Sequence, residues 1–305
     1  MRYRLTFRRR KRKTTADRLR KIPTGSHPRQ QGTSTPDAER SELSTLLDPF
    51  PTLTKRLELG PRLPASAGGW VVETTERDTR RPLVLKVRTL ERTQGWADWD
   101  RFAHEAKVLR SLRHPGIPRY IEHGDAGTVA YLLMTRAPGS SLQARLDQGE
   151  RWSDIKLRHI LARMLGVLAY LHDLNPPVFH GDIHPEHVVV SGAGDVQLLS
   201  FGCAFSMIDG QGMPRPDRPG YVRASTSADR RSAATDLYAL GATIAAIASG
   251  ADASQLPRRG DALALAACMK PSLVRDAVQM LMEPSPGRTR SPADELRRWL
   301  ARQGR

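Results

Sequence analysis

The 305-residue sequence contains little cysteine and no long apolar run, and both absences narrow the class of protein. Its two cysteines, Cys203 and Cys268, cannot build a disulfide framework, so we expect a reducing compartment. No stretch of about 18 apolar residues occurs, and the N-terminus lacks the apolar segment of a signal peptide. From these absences we predict a cytoplasmic protein without a transmembrane segment.

Acidic residues are scarce at the N-terminus, and the positive charge is concentrated there. Residues 1–40 hold 13 Lys or Arg against three Asp or Glu, which gives +10 of the net charge of +16. A segment this polar buries too little apolar surface to offset chain entropy, so we predict a disordered basic arm over residues 1–50. Such an arm can bind an anionic surface or nucleic acid. No base-reading motif accompanies the charge, and a solvated tail is the simpler interpretation.

Hydrophobic periodicity divides the rest of the chain into a strand-rich part and a helical part. Residues 51–136 contain alternating, β-branched segments such as PLVLKVRTL (82–90), which indicate strands. In residues 137–305 apolar side chains recur at helical spacing, and DLYALGATIAAIAS (236–249) is apolar on nearly every side, as a central helix is. The expected fold class is α+β, with a small β-rich N-lobe and a larger helical C-lobe.

Six motifs occur in the order and spacing of one enzyme family. They are VLK (84–86), FAHEAKVLRSLRHPGIPRY (102–120), HGDIHP (180–185), QLLSFG (197–202), TDLYALG (235–241) and EPSPGR (283–288). Together these motifs resemble the bacterial serine/threonine protein kinases over about residues 52–300. The resemblance implies a bilobal, kinase-like fold.

The resemblance also implies a role for individual residues. Lys86 would hold the α- and β-phosphates of ATP, with Glu105 as its ion-pair partner. Asp182 would be the base that accepts the proton of the substrate hydroxyl, and Asp236 would hold the backbone of the catalytic loop. Five further residues would line the nucleotide: Gly69, Val71, Val84, Met134 and Val189.

Two positions depart from the family where it binds magnesium. Ser200 stands in place of the metal-binding aspartate and His187 in place of the asparagine. Because Mg²⁺ prefers carboxylate, carbonyl and water oxygens, a hydroxyl and an imidazole are poor substitutes. The phosphate loop is degraded too, since its three glycines fall at Pro64, Ser66 and Gly69, and a register that begins at Gly60 fits no better. We expect no magnesium site and at most weak ATP binding.

Histidines crowd the same loop. His180, His184 and His187 lie close to Asp182 in sequence, and imidazole suits transition metals better than magnesium. Their spacing matches no known ligand pattern, however, so the sequence favours structural roles and no metal site.

These observations favour a pseudokinase that serves as a scaffold or regulator for a protein partner. One alternative is an active serine/threonine kinase with atypical metal use, in which Asp182 remains the base. A further alternative is a small-molecule phosphotransferase, because HGDIHP resembles the catalytic loop of aminoglycoside and choline phosphotransferases.

Overall fold

The computed structural model describes residues 36–63, 69–89, 96–206, 218–223, 231–260, 262–283 and 292–303. By compactness the chain divides into residues 1–42 and residues 43–305. The first unit is described from residue 36, where helix α1 (Pro36–Leu47) begins. All packing discussed below lies within the second unit.

A five-stranded antiparallel sheet forms the smaller lobe. The strands are β1 (Leu57–Arg62), β2 (Gly69–Glu76), β3 (Pro82–Thr89), β4 (Tyr120–Ala126) and β5 (Val129–Thr135). They follow the spatial order β1-β2-β3-β5-β4, so that β3 lies at the centre. Helix α2 (Pro51–Arg56) directly precedes β1 in the sequence, and helix α3 (Trp96–Ser111) precedes β4.

Strand β3 shows how the sheet separates core from site. Successive side chains of a strand point to opposite faces, so residues two apart share a face. One face of β3 carries the fully buried Leu83, Leu85 and Val87. The other face carries the half-buried Val84, Lys86 and Arg88. The predicted nucleotide lysine therefore lies on the face opposite the small lobe's apolar cluster.

Order begins before residue 51, where we expected the folded part to start. The predicted arm lies outside the described residues up to residue 35. From Pro36 to Leu47 the chain is helical, and Leu43 and Leu47 are buried in one apolar cluster with Leu85 and Val87. Since residues four apart share a helix face, α1 presents both leucines to the sheet.

Helices make up most of the larger lobe, as predicted. The C-terminal half of the described chain contains α4 (Leu142–Asp147), α5 (Asp154–His172), α6 (Ala233–Ser249), α7 (Leu265–Cys268), α8 (Leu273–Met282) and α9 (Pro292–Arg302). Short strands complete it: β6 (Ser140–Ser141), β7 (Val178–Phe179), β8 (Val188–Val190), β9 (Val196–Leu198), β10 (Phe205–Ser206), β11 (Arg258–Arg259) and β12 (Ala262–Leu263). The bilobal α+β fold is confirmed, while the lobe boundary at 136/137 stays a prediction.

Helix α6 is the central element of this lobe. Every residue from 236 to 247 is buried, which confirms the prediction made from its apolar sequence. The helix begins at a capping box in which the Ser232 hydroxyl accepts the N–H of Thr235. It ends at Gly250, whose φ of 80° is readily adopted only without a side chain. Among the helices of the described residues, none combines the length and hydropathy needed to cross a membrane.

Candidate functional site

Lys86 and Glu105 join the sheet to helix α3. The Lys86 Nζ lies 2.7 Å from the Glu105 Oε1, and the two side chains are 19% and 9% exposed. Glu105 faces inward because it lies within one turn of the buried Phe102, Ala106 and Leu109. The ion pair expected from the resemblance is therefore confirmed.

Glu105 also reaches the segment that carries the replaced magnesium ligand. Its Oε1 accepts the N–H of Phe201 at 3.3 Å, which places Ser200 next to the ion pair. Ser200 has φ = 65° and ψ = 69°, a left-handed conformation that serine seldom adopts. Phe201 is fully buried and packs edge-on against the His180 ring at 4.9 Å. Strand β3, helix α3 and the Ser200–Phe201 turn thus form one connected unit.

Asp236 holds the loop that follows β7. Its carboxylate accepts the N–H groups of His180 at 2.8 Å and Gly181 at 2.9 Å, and the Nε2–H of His172 at 3.0 Å. Burial alone would raise the pKa of Asp236, but the bond from His172 and the other donors bring the pKa below its ordinary value. The role predicted for Asp236 in fixing the loop backbone is confirmed by these bonds.

Asp182, the predicted base, is buried and surrounded by cationic or titratable groups. The Arg218 Nε donates to its Oδ1 at 2.7 Å. The Nδ1 of His187 lies 3.5 Å from the Oδ2, and the Nε2 of His184 lies 3.8 Å from the Oδ1. The carboxylate is therefore already engaged by a guanidinium.

Burial keeps both neighbouring imidazoles neutral near pH 7. It lowers the pKa of His187 to about 4, although the nearby Asp182 carboxylate acts in the opposite direction. The pKa of His184 lies well below its ordinary value, first because of burial and then because His187 and Arg218 repel a proton there. At neutral pH the loop therefore presents two neutral rings beside one carboxylate.

The donor set does not fit magnesium. Ser200 supplies only a neutral hydroxyl, and the His187 Nδ1–H is used to donate to the Asp182 carbonyl at 2.8 Å. Neither residue offers the anionic or carbonyl oxygen that Mg²⁺ prefers. Two predicted departures in the phosphate loop, Pro64 and Ser66, lie outside the described residues.

The residues predicted to line the nucleotide occupy both lobes. Val71 pairs with Lys86 across β2 and β3, and Val84 pairs with Met134 across β3 and β5. Val189 lies on β8 in the larger lobe, opposite Gln197 of β9. The structure thus groups three of these side chains on or beside β3, while Val189 lies on a separate sheet.

Gly69 begins β2 opposite Arg88, a residue that the motif comparison overlooked. A Cβ built on Gly69 would meet the Arg88 Nη1 at 2.7 Å, so the guanidinium occupies the space that a side chain would take. Strand alternation could have revealed this, because Arg88 is two residues beyond Lys86 and shares its face. Arg218 was overlooked too, and no sequence signal connects it with Asp182.

Comparison with known proteins agrees with this geometry. The family model for the protein kinase domain matches residues 64–290. The chain belongs to the protein kinase family. It is 29% identical over 175 residues to the serine/threonine-protein kinase DCLK1 of Rattus norvegicus, a match that covers 56% of this chain and 39% of that protein.

Bacterial relatives show the same pattern. The serine/threonine-protein kinase PknA of Nostoc sp. is 30% identical over 168 residues, covering 52% of this chain and 29% of the relative. A probable serine/threonine-protein kinase of Streptomyces coelicolor is 30% identical over 160 residues, covering 50% and 23%. The chain therefore spans well under half the length of the curated relatives that it matches. These likenesses support a bacterial, eukaryotic-type kinase domain.

Proposed function

We propose that this kinase domain is a pseudokinase, a scaffold or regulator that binds a protein partner and carries out no magnesium-dependent phosphoryl transfer. One observation carries the proposal: the Asp182 carboxylate is paired with Arg218 at 2.7 Å. A general base must reach the proton that it removes within hydrogen-bond distance. A base that is buried and ion-paired is poorly suited to this step.

The metal site argues in the same direction. Phosphoryl transfer depends mainly on positioning and on neutralising phosphate charge, which the family does with magnesium. Because Ser200 and His187 replace the metal ligands of the family, no carboxylate-bound cation would neutralise the phosphate charge. Among the described residues the scaffold contacts are nevertheless kept, since Lys86, Glu105 and Asp236 have their partners. The magnesium ligands are lost while the contacts that order the site are kept, and this combination favours a role in binding.

Nucleotide binding without magnesium fits the residues that remain. Lys86 supplies one positive charge, and Val71, Val84, Met134 and Val189 supply apolar surface for a base. A triphosphate held by one ion-paired lysine would bind weakly, because most of its charge stays uncompensated. We therefore propose at most weak ATP binding that a divalent cation does not strengthen.

The partner remains unidentified, and the basic arm offers one means of reaching it. Residues 1–40 carry +10, which suits an acidic protein, an anionic lipid surface or a nucleic acid. Removing residues 1–35 is expected to weaken binding to anionic polymers at low salt. The melting temperature is expected to stay unchanged, because a segment this polar buries little apolar surface.

A second function is an active serine/threonine kinase with atypical metal use. The observation in its favour is that Asp182 itself is kept and connected to an ordered loop. Substrate binding would then have to displace Arg218. A small-molecule phosphotransferase would need the same displacement and also lacks its metal ligands here.

Nucleotide titration separates these functions. ATP and ADP are titrated by calorimetry and thermal shift with EDTA, Mg²⁺ or Mn²⁺, in wild type, Lys86→Met and the double variant Ser200→Asp/His187→Asn. A ligand that binds only the folded state raises the melting temperature in proportion to its saturation. The pseudokinase proposal predicts weak, metal-independent binding that Lys86→Met abolishes, and a gain of Mg-ATP affinity in the double variant.

Phosphate transfer is the decisive control. Transfer from labelled ATP to a generic protein substrate is expected to be at background in wild type and in Asp182→Asn. Transfer that wild type supports and Asp182→Asn abolishes would refute the proposal in favour of the active kinase. No gain of Mg-ATP binding in the double variant would show that the pocket itself is closed.

A further inference from the structure

Three buried side chains of the catalytic loop converge on one point. Asp182, His184 and His187 each offer one ligand atom, and these atoms lie within 4.8 Å of one another. The three residues are 8%, 3% and 9% exposed. His180, the third histidine of this region, takes no part, because its Nε2–H donates to the Leu199 carbonyl and its Nδ1 accepts the N–H of Asp182.

His184 supplies the observation that points to a ligand. Its Nε2 is buried and has no hydrogen-bond partner among the described residues. A buried polar atom left without a partner is costly, and it calls for an explanation such as strain, a catalytic role or a bound water or ion. This nitrogen lies 3.8 Å from the Asp182 Oδ1, which is too long for a hydrogen bond. It lies beside a carboxylate and a second imidazole, as a ligand of a shared cation does.

The separations suit a metal after small side-chain movements. Zinc lies about 2.0–2.1 Å from imidazole nitrogen and about 2.0–2.2 Å from carboxylate oxygen, so tetrahedral ligand atoms lie roughly 3.4 Å apart. The His184 Nε2 lies 3.8 Å from the Asp182 Oδ1, and the ligand atoms of all three residues lie within 4.8 Å of one another. The two rings lie 3.9 Å apart between centroids. Binding would require the widest of these separations to contract by up to about 1.4 Å, which rotamer adjustment can provide.

His187 already has the outer-shell contact that metal-binding histidines commonly show. Its Nδ1–H donates to the Asp182 carbonyl at 2.8 Å, which fixes the ring and leaves the lone pair on Nε2. A ligating histidine commonly donates its other ring N–H to a carbonyl or carboxylate in this way. The loop therefore holds one imidazole in a ligand-ready tautomer and leaves the neighbouring His184 Nε2 unpaired.

The charges around the cluster limit its affinity without excluding a cation. Arg218 donates to the Asp182 Oδ1, and its positive charge opposes a metal. The Oδ2 stays available, and Glu186 and Asp252 add negative charge to the wall of an adjoining cavity of about 210 Å³ that reaches His184. This cavity is large enough to admit water as a further ligand.

We propose that Asp182, His184 and His187 form a transition-metal site for one divalent cation of the zinc class, held by two imidazoles and one carboxylate. Imidazole-rich sites favour zinc, cobalt and nickel over magnesium. The site shares only the His187 position with the magnesium site of the family, because it adds the base and His184 and leaves out Ser200. At this site the Asp182 carboxylate, which stands at the position of the family's base, would serve as a metal ligand.

Cobalt titration of the full chain tests the site. Protein stripped with a chelator is titrated with Co²⁺ and followed by visible absorption, and Zn²⁺ is then added in competition. One equivalent of Co²⁺ is expected to give an absorption band that Zn²⁺ removes. His184→Asn is expected to weaken binding by at least about tenfold, a loss seen even for outer-shell changes. Arg218→Met is expected to strengthen it, because that variant removes the opposing charge and frees the Oδ1.

A matched variant controls for metal binding by the other histidines. The chain has nine histidines in all, including the two of the proposed site. His159→Asn changes an exposed ring whose Nε2 bonds to the Gly194 carbonyl at 2.7 Å and which is not one of the three cluster residues. It is expected to keep the full cobalt band. Equal cobalt binding by wild type and His184→Asn, or no stoichiometric band in wild type, would overturn the site.

X-ray absorption of the zinc-loaded wild type provides a test that needs no variant. Scattering from two imidazoles is expected around the metal. This measurement decides the question if His184→Asn does not fold, because a zinc shell without imidazole would refute the proposal. The result is independent of nucleotide binding, so failure of the metal site leaves the pseudokinase proposal standing and the reverse also holds.

Discussion

Replacing Asp236 by asparagine perturbs the contact on which the order of the catalytic loop depends. Asp236 is 1% exposed and accepts three hydrogen bonds, from His180, Gly181 and His172. Asn keeps the size of the side chain but turns one acceptor oxygen into an amide group that donates. The Oδ2 accepts the bonds from His180 and His172 and the Oδ1 the bond from Gly181, so the amide group of Asn faces at least one donor in either orientation.

The size of the effect follows from these contacts. A hydrogen bond to a charged group contributes about 1.5–3 kcal/mol, and an orphaned buried donor adds its own cost. Losing at least one such bond is expected to lower the free energy of unfolding by at least about 1.5–3 kcal/mol, a large part of the roughly 5–15 kcal/mol that stabilises a typical domain. Urea unfolding measures the loss, and hydrogen exchange of the His180 and Gly181 amides is expected to quicken.

A variant on the same helix provides the control. Ser249 bonds only to the Ala246 carbonyl one turn earlier, and Ser249→Ala is expected to change stability by less than about 0.5 kcal/mol. The reasoning is refuted if Asp236→Asn costs less than about 1 kcal/mol and leaves the two amides as protected as before. In that case the loop would owe its order to packing alone.

Three further outcomes are expected. Leu47→Ala should lower the free energy of unfolding by about 2–5 kcal/mol because Leu47 is fully buried; a cost near zero would mean that α1 is not docked in solution. A double-mutant cycle of Lys86→Met and Glu105→Gln should give a coupling free energy of about 1–3 kcal/mol, since either single change leaves a partly buried partner unpaired. Additive effects on the free energy of unfolding would contradict the ion pair. Burial raises the pKa of Cys203 to about 11, so the folded protein keeps the thiol neutral. The neutral thiol therefore contributes stability that is fully present below about pH 9, the ordinary range of a free thiol, and that should fall as the pH rises towards 11. In a Cys268→Ser background Cys203 should therefore resist a thiol reagent at pH 8 until urea unfolds the chain, and rapid labelling of the native protein would contradict this.

Motif spacing predicted the contacts whose partners are fixed by backbone geometry. Lys86 and Glu105 meet because a central strand and the helix packed on it set their separation. Asp236 reaches the loop because it lies in the first turn of α6, beside the loop's N–H groups. In both cases one residue on a regular element contacts another fixed element, so sequence spacing is a sufficient guide.

Contacts made by long or irregular segments could not be predicted in this way. Arg218 contacts Asp182 from 36 residues along the chain, and no periodic pattern connects them. The convergence of His184 and His187 depends on the short 3₁₀ turn from Pro185 to His187, which carries the second ring back towards the first. The early start of order at α1 was missed because the charge of the N-terminus obscured two leucines four residues apart.

The sequence by itself determined the bilobal α+β class, the membership in the kinase family and the absence of magnesium-type ligands at Ser200 and His187. These follow from local periodicity, from motif spacing and from side-chain chemistry, none of which needs coordinates. Only the tertiary structure decided that Asp182 is paired with Arg218 and that the His184 Nε2 lies buried without a partner. Both depend on which distant side chains share a buried space, and the packing of the whole chain sets that.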